Sequence, residues 1–225
     1  SIATITNSGI VTAIAPGTAT FTFTDNITNC VSVTSTSIVV NAKPTVNISG
    51  SNSICVGAMT TVTPTVNGTW SSSNPAVATV NNIGAVLGIS EGTATFTFTQ
   101  TATGCASDPT ASIQVKPKPT IEITGDVSIC IGTNTQLLPS SGGTWTSTQP
   151  SIASINSAGL VTSHQAGSAR FIFTSSSTGC LSNQSAPVVV LPKPSVSILG
   201  STEICIGATT TLLPNSGGTW TSNNP

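Results

Sequence analysis

The sequence predicts an all-β protein built from tandem antiparallel β-sandwiches, and three observations lead there. The first is a repeat. Divided at Pro75 and Pro150, the chain falls into three units of 75 residues that align without insertion. Tryptophans recur at 70, 145 and 220, phenylalanine pairs at 21/23, 96/98 and 171/173, and cysteines at 30, 105, 180 and at 55, 130, 205. Self-similarity at a fixed period makes the repeat, not the chain, the folding object. The second is alternation. In "TATFTFT" (Thr93 to Thr99), Ala94, Phe96 and Phe98 fall on one face and four threonines on the other, the period of a half-buried strand. The third is punctuation: short apolar runs are separated by Gly, Asn, Pro and Ser, with no helical period.

Taken in order, the predicted strands of a unit are runs of the type "PTIEIT", "TTTLLP", "GTWTS", "VATV", "AVLGI", "TATFTFT" and "ASIQV". About seven short strands in ~75 residues suit a two-sheet sandwich. Threonine favours the pleated surface through its β-branch and stays polar outward. The core is expected to hold Trp70, Phe96 and Phe98 in one unit and Trp145, Phe171 and Phe173 in the next. The Lys-Pro pairs Lys43-Pro44, Lys118-Pro119 and Lys193-Pro194 read as linkers, since proline removes a backbone donor and lysine discourages strand pairing. On that reading 1–42 is the C-terminal half of a domain, 43–117 and 118–192 are complete domains, and 193–225 is the N-terminal part of another. The chain then reads as a stretch of a longer array.

Composition narrows the function. The chain has 5 Lys+Arg, 6 Asp+Glu and a net charge of −1. Such a surface supplies no field to steer nucleic acid or anionic lipid. No apolar run reaches the ~18 residues of a membrane span, so this segment is not expected to insert in a membrane.

The stretch "GTWSSSNPAVATVNNIGAVLGISEGTATFTFT" (Gly68 to Thr99) resembles the group 2 bacterial immunoglobulin-like domain, and the resemblance extends over the whole chain. The shared features are a Trp followed by Ser/Thr and Asn-Pro, "VATV", a Gly turn, and "GTATFTFT" entering the last hairpin. The "ICIG" and "TGC" motifs resemble long surface-protein arrays of Bacteroidota. The resemblance implies immunoglobulin-like sandwiches arranged as beads on a rod, serving chiefly as spacers in adhesins and other surface proteins.

Six cysteines at strict repeat positions suit disulfides in an oxidising compartment. Two pairings compete: within domains (Cys55 with Cys105, Cys130 with Cys180), or across linkers (Cys30 with Cys55, Cys105 with Cys130, Cys180 with Cys205). About ten extended residues separate Cys105 from Lys116, which disfavours the second. The topology implied by the resemblance puts Cys55 beside Cys105. Cys30 and Cys205 would then pair with units outside these 225 residues.

Reactive constellations are sparse. His164 stands where other copies have Ile14 and Ile89, and reads as a tolerated substitution. The acids Asp25, Glu91, Asp108, Glu122, Asp126 and Glu203 form no carboxylate pair or calcium-loop pattern. The absence of any CxxC speaks against zinc. No catalytic, cofactor-binding or metal residue is expected. Asn26, Asn47, Asn67 and Asn183 match the glycosylation triplet, as chance allows in so Asn/Ser/Thr-rich a chain. The Thr18, Thr20, Thr22, Thr24 ladder follows from β-propensity. The expected role is a non-enzymatic structural stalk or filament segment of an extracellular or cell-surface bacterial protein, holding a distal binding region. Its expected partners are neighbouring repeats and lateral filament contacts. The alternatives are a fibre subunit completing its half-domains between copies, and a glycan- or cell-binding module.

Overall fold

The computed structural model describes residues 1–224, and no helix occurs among them. The chain divides into two compact units, Ser1–Lys118 and Pro119–Pro225, each with its own hydrophobic core.

In the first unit, residues 1–42 carry β1 (Ala3–Ile5), β2 (Val11–Ala13), β3 (Gly17–Ala19) and β4 (Ile38–Val40), paired as β1-β2 and β3-β4. Nine strands follow Lys43. They are β5 (Asn47–Ile48), β6 (Ser53–Cys55), β7 (Met59–Thr63), β8 (Gly68–Ser72), β9 (Ala78–Val80), β10 (Ala85–Gly88), β11 (Gly92–Ala94), β12 (Phe96–Gln100) and β13 (Ile113–Lys116). One layer has the order β5-β7-β10-β9 and is antiparallel throughout. The other joins β6-β13-β11 to β12-β8, because β11 and β12 are the two halves of "TATFTFT" on either side of Thr95. The first strand of the sandwich is shared: β5 pairs antiparallel with β7, and β6 pairs parallel with β13. The seven sequence-predicted strands thus appear as nine: "TATFTFT" is divided into β11 and β12, and β6 lies outside every predicted run. This is an immunoglobulin-like arrangement.

Alternation decides the burial. Ala94, Phe96 and Phe98 are buried, as are Ile113 and Val115 from β13 and Val62 and Val86 from the opposite layer. Burying each of the Val, Ile and Phe side chains is worth roughly 1.5–3 kcal/mol. Trp70 sits directly across from Phe98 in the β8–β12 ladder, their ring centroids 5.2 Å apart and tilted by 56°. The indole Nε1–H donates to the Pro64 carbonyl at 2.9 Å, so the ring is buried without losing its polar partner.

A second set of contacts completes the ladder where β12 has no regular partner strand. The amide of Phe96 donates to Thr110 Oγ1 (3.1 Å) and that of Phe98 to Ser107 Oγ (3.0 Å). In return Thr110 N and Ser107 N donate to the carbonyls of Phe96 and Phe98. Side-chain hydroxyls therefore stand in for backbone acceptors. The same pairs recur as Ser35 and Ser32 on Phe21 and Phe23, and as Ser185 and Ser182 on Phe171 and Phe173.

The second unit repeats this plan. Its strands are β14 (Glu122–Ile123), β15 (Ser128–Cys130), β16 (Asn134–Leu138), β17 (Gly143–Ser147), β18 (Ala153–Ile155), β19 (Leu160–Ser163), β20 (Gly167–Ala169), β21 (Phe171–Ser175) and β22 (Val188–Leu191). The layers are β14-β16-β19-β18 and β15-β22-β20 with β17-β21. Trp145 lies across from Phe173 with centroids 5.1 Å apart, and donates to Pro139 O at 3.0 Å. Phe171 and Phe173 are buried and Trp145 is half-buried. β23 (Ser197–Leu199) and β24 (Thr211–Leu213) form a ladder of their own. There Trp220 is 49% exposed, against 7% for Trp70, because residues 193–224 do not supply a facing sheet.

Candidate functional site: the cysteine-bearing ends of each domain

Each sandwich has a leading end, where the chain comes in, and a trailing end, where it leaves. In the sandwich formed by β5–β13, Asn47 is registered against Thr63, and Gln100 at the end of β12 faces Gly68. Cys105 belongs to this leading end: its carbonyl accepts from Gln100 N (3.0 Å) and its amide contacts Thr103 Oγ1 (3.3 Å). Lys43, in the linker before the domain, forms an ion pair with Asp108, three residues beyond Cys105. Both partners are exposed, so the pair is worth about 0–1 kcal/mol, but it fixes which end Cys105 occupies.

Cys55 lies at the opposite end. It is the last residue of β6, registered against Lys116, the last residue of β13. The turn after it is tied down by Val56 N to Lys116 O (2.9 Å), Gly57 N to Gly88 O (2.8 Å) and Ala58 N to Cys55 O (2.9 Å). Gly57 has φ +81°, a left-handed conformation that glycine adopts without strain. A Cβ built there would lie 3.6 Å from Lys118 Nζ, so the linker lysine runs alongside this turn.

The second domain has the same geography. Cys180 is at the leading end, its carbonyl accepting from Ser175 N (3.0 Å), with Ser175 registered against Gly143. Residues 120–122 and 138–141 line one cavity there, placing the incoming segment beside the loop that precedes Gly143. Cys130 is at the trailing end, registered against Leu191, with Gly132 at φ +86° and its Cβ position 3.6 Å from Lys193 Nζ. Lys43, Pro44, Lys118, Pro119, Lys193 and Pro194 all lie outside strands.

This geography corrects the within-domain pairing. Cys105 lies eight residues before β13 and beside Gln100, while Cys55 stands abreast of the last residue of β13, so extended chain separates them by roughly 30 Å, whereas a disulfide needs Cα atoms within about 7 Å. The same holds for Cys130 and Cys180. The side-by-side expectation put Cys105 level with the first strand and overlooked that the parallel β6–β13 register reaches only the far end of β13. Cys30, Cys105, Cys130 and Cys205 are free thiols, while Cys55 and Cys180 are disulfide-bonded.

The other candidates stay dispersed. His164 Nε2 lies 2.8 Å from Ser154 Oγ on an exposed face. Among the described residues no group of three or more His, Cys, Asp or Glu could hold a metal ion, and no helix is long and apolar enough to cross a membrane. The hydroxyl pairs beneath the phenylalanines were not singled out from the sequence; their only signal was Ser or Thr at the same two positions of each repeat.

Together the sandwich topology and the aromatic core define an all-β, immunoglobulin-like protein. Residues 31–108, about a third of the chain, match the family described as bacterial Ig-like domain (group 2). Nothing among curated proteins matches the chain. Solved structures that resemble it include a C-terminal fragment of intimin in complex with the intimin-binding domain of its translocated receptor (16% identity, 63% of this chain and 59% of that one, TM-score 0.34). Another is invasin, a bacterial integrin-binding protein (15%, 84% and 48%, TM-score 0.39). A third is a Bacteroides ovatus protein of a mixed-linkage glucan utilization locus, SGBP-B, with a bound heptasaccharide (14%, 88% and 58%, TM-score 0.24). The chain spans about two fifths to three fifths of the first structures it matches.

Proposed function

We propose that this chain is a stalk or filament segment of an extracellular or surface-attached bacterial protein, a mechanical spacer that carries a binding region away from its anchor. The observation that carries this reading is the economy of the repeat. Every aromatic residue of the two complete domains is used in a repeated core position. None remains to form an aromatic recognition patch on a loop. The two domains are separated by only five residues, 117–121, between β13 and β14, two of them proline. Short proline-containing linkers limit independent motion of the domains they join.

The test is solution scattering on the full chain and on a version in which residues 118–192 are duplicated. A spacer gains roughly 40 Å in maximum dimension from the extra domain, from strand length plus linker. A negligible increase, or saturable binding of polysaccharide by these domains, contradicts the reading.

A further inference from the structure

We propose that residues 1–42 present an open strand edge whose occupant is the tryptophan-bearing segment 193–224 of a second copy of this chain, so that a sandwich is completed between molecules. The acceptor is visible at Phe21 and Phe23. Their amides donate to Ser35 Oγ (3.0 Å) and Ser32 Oγ (2.9 Å), the contacts that Phe96 and Phe98 make with Thr110 and Ser107. One side of this run is therefore built as in β12, yet residues 20–23 belong to no strand. What β12 has and they lack is β8, whose Trp70 pairs opposite Phe98. Phe23 is accordingly 68% exposed, against 2% for Phe98. A cavity of about 750 Å³ opens against Ile5, Phe21, Phe23 and Val33.

The donor shows the converse. β24 pairs with β23 as β7 pairs with β5. Trp220 Nε1–H donates to Pro214 O at 3.1 Å, as Trp70 donates to Pro64 O, so the indole is already oriented for a core but stays half-exposed. The two deficits match position for position. The core cluster of the β5–β13 sandwich holds eleven buried residues. Eight of them, from Val77 to Val115, have apolar counterparts 75 residues earlier, between Ile2 and Val40. The other three, Ile54, Val62 and Trp70, have theirs 150 residues later, at Ile204, Leu212 and Trp220. No core position is supplied twice and none is missing.

Carrying the β8–β12 register across places Trp220 opposite Phe23, Thr221 opposite Thr22 and Thr219 opposite Thr24. A specific interface buries about 1,200–2,000 Å² and takes roughly 20–30 residues a side. Segments 1–42 and 193–224 exceed that count on both sides, and Phe23 and Trp220 each bring an aromatic ring worth about 150–250 Å² of burial. Donor and acceptor are different surfaces, so the contact is head-to-tail and generates an open series of copies, not a closed pair. The inference concerns an edge that the spacer reading does not use, and it stands or falls independently of that reading.

The test is sedimentation of the full chain with reductant present, so that thiol cross-links contribute nothing. Its mass should rise with concentration in multiples of 22.4 kDa. Two variants separate the surfaces. Amides of successive strand residues point to opposite edges, so that of Thr22 faces the open one, and Thr22→Pro removes it and blocks the acceptor. Trp220→Ala removes the anchor of the donor. Both positions lie outside the two clusters of buried core residues, so the near-ultraviolet signal of the Trp70–Phe98 pair should stay unchanged and report an intact fold. Each variant alone should sediment as a monomer. An equimolar mixture should form a dimer and stop there, since only the donor of Thr22→Pro and the acceptor of Trp220→Ala remain. A wild-type chain that is monomeric at every concentration, growth like the wild type's in either variant, or a mixture that stays monomeric overturns the proposal.

Discussion

Ser107 and Thr110 hold the most consequential small contacts in the β5–β13 sandwich. Their hydroxyls accept from the buried amides of Phe98 and Phe96. Leaving a buried donor unpaired costs about 1–3 kcal/mol. Ser107→Ala should lower stability by that amount in denaturant unfolding, and Thr110→Val likewise, whereas Thr110→Ser should restore most of it. In a chain so rich in Ser and Thr these residues read as background, because a hydroxyl that replaces a ladder acceptor looks no different in sequence from one that faces water. The aromatic residues were legible for the opposite reason: they are few and recur at one phase of a period-2 run. Asp25 offers a residue-scale pH test. Donation from the amides of Thr28 and Ile27, and from the Thr28 hydroxyl, holds its carboxyl below the ordinary carboxylate range. A lowered folded pKa means the turn is favoured above the unfolded Asp pKa and loses that support as pH falls through the folded value. The protection factor of the Thr28 amide, its exchange rate relative to the intrinsic rate at each pH, should therefore be highest near neutral pH and fall on acidification below about pH 4. A pH-independent protection factor would show that the carboxylate does not hold the turn.

At the scale of elements, β8 and β12 approach closely at Gly68. A Cβ on Gly68 would stand 2.3 Å from Thr99 O and 2.3 Å from Phe98 Cζ, and Gly143 is as crowded against Thr174 O and Phe173. Gly68→Ala must push the Trp70 strand away from the phenylalanine strand, and overpacking of this kind typically costs 1–3 kcal/mol. The expected outcome is a lowered unfolding midpoint with a changed near-ultraviolet signal from Trp70; an unchanged midpoint would mean the strands separate freely. Strand identity was readable here because "GTWTS" and "TATFTFT" alternate over five to seven residues. The splitting of the first strand was not. β5 and β6 are two and three residues long, too short for periodicity to reveal, and which sheet each joins is decided by partners far along the chain. The cysteine pairing was lost at the same point. Sequence spacing says how many residues lie between Cys55 and Cys105, but only the direction and register of β6 against β13 say that they stand at opposite ends.

For the whole molecule, the repeated sandwiches have cores of their own, and stability resides in the aromatic cores and hydroxyl-completed ladders. On the spacer reading proposed above, continuity under load resides in the short linker between β13 and β14. The measurement to make is solution scattering on the full chain and on a version with residues 118–192 duplicated. The spacer reading predicts a maximum dimension longer by roughly 40 Å, and an unchanged dimension would contradict it.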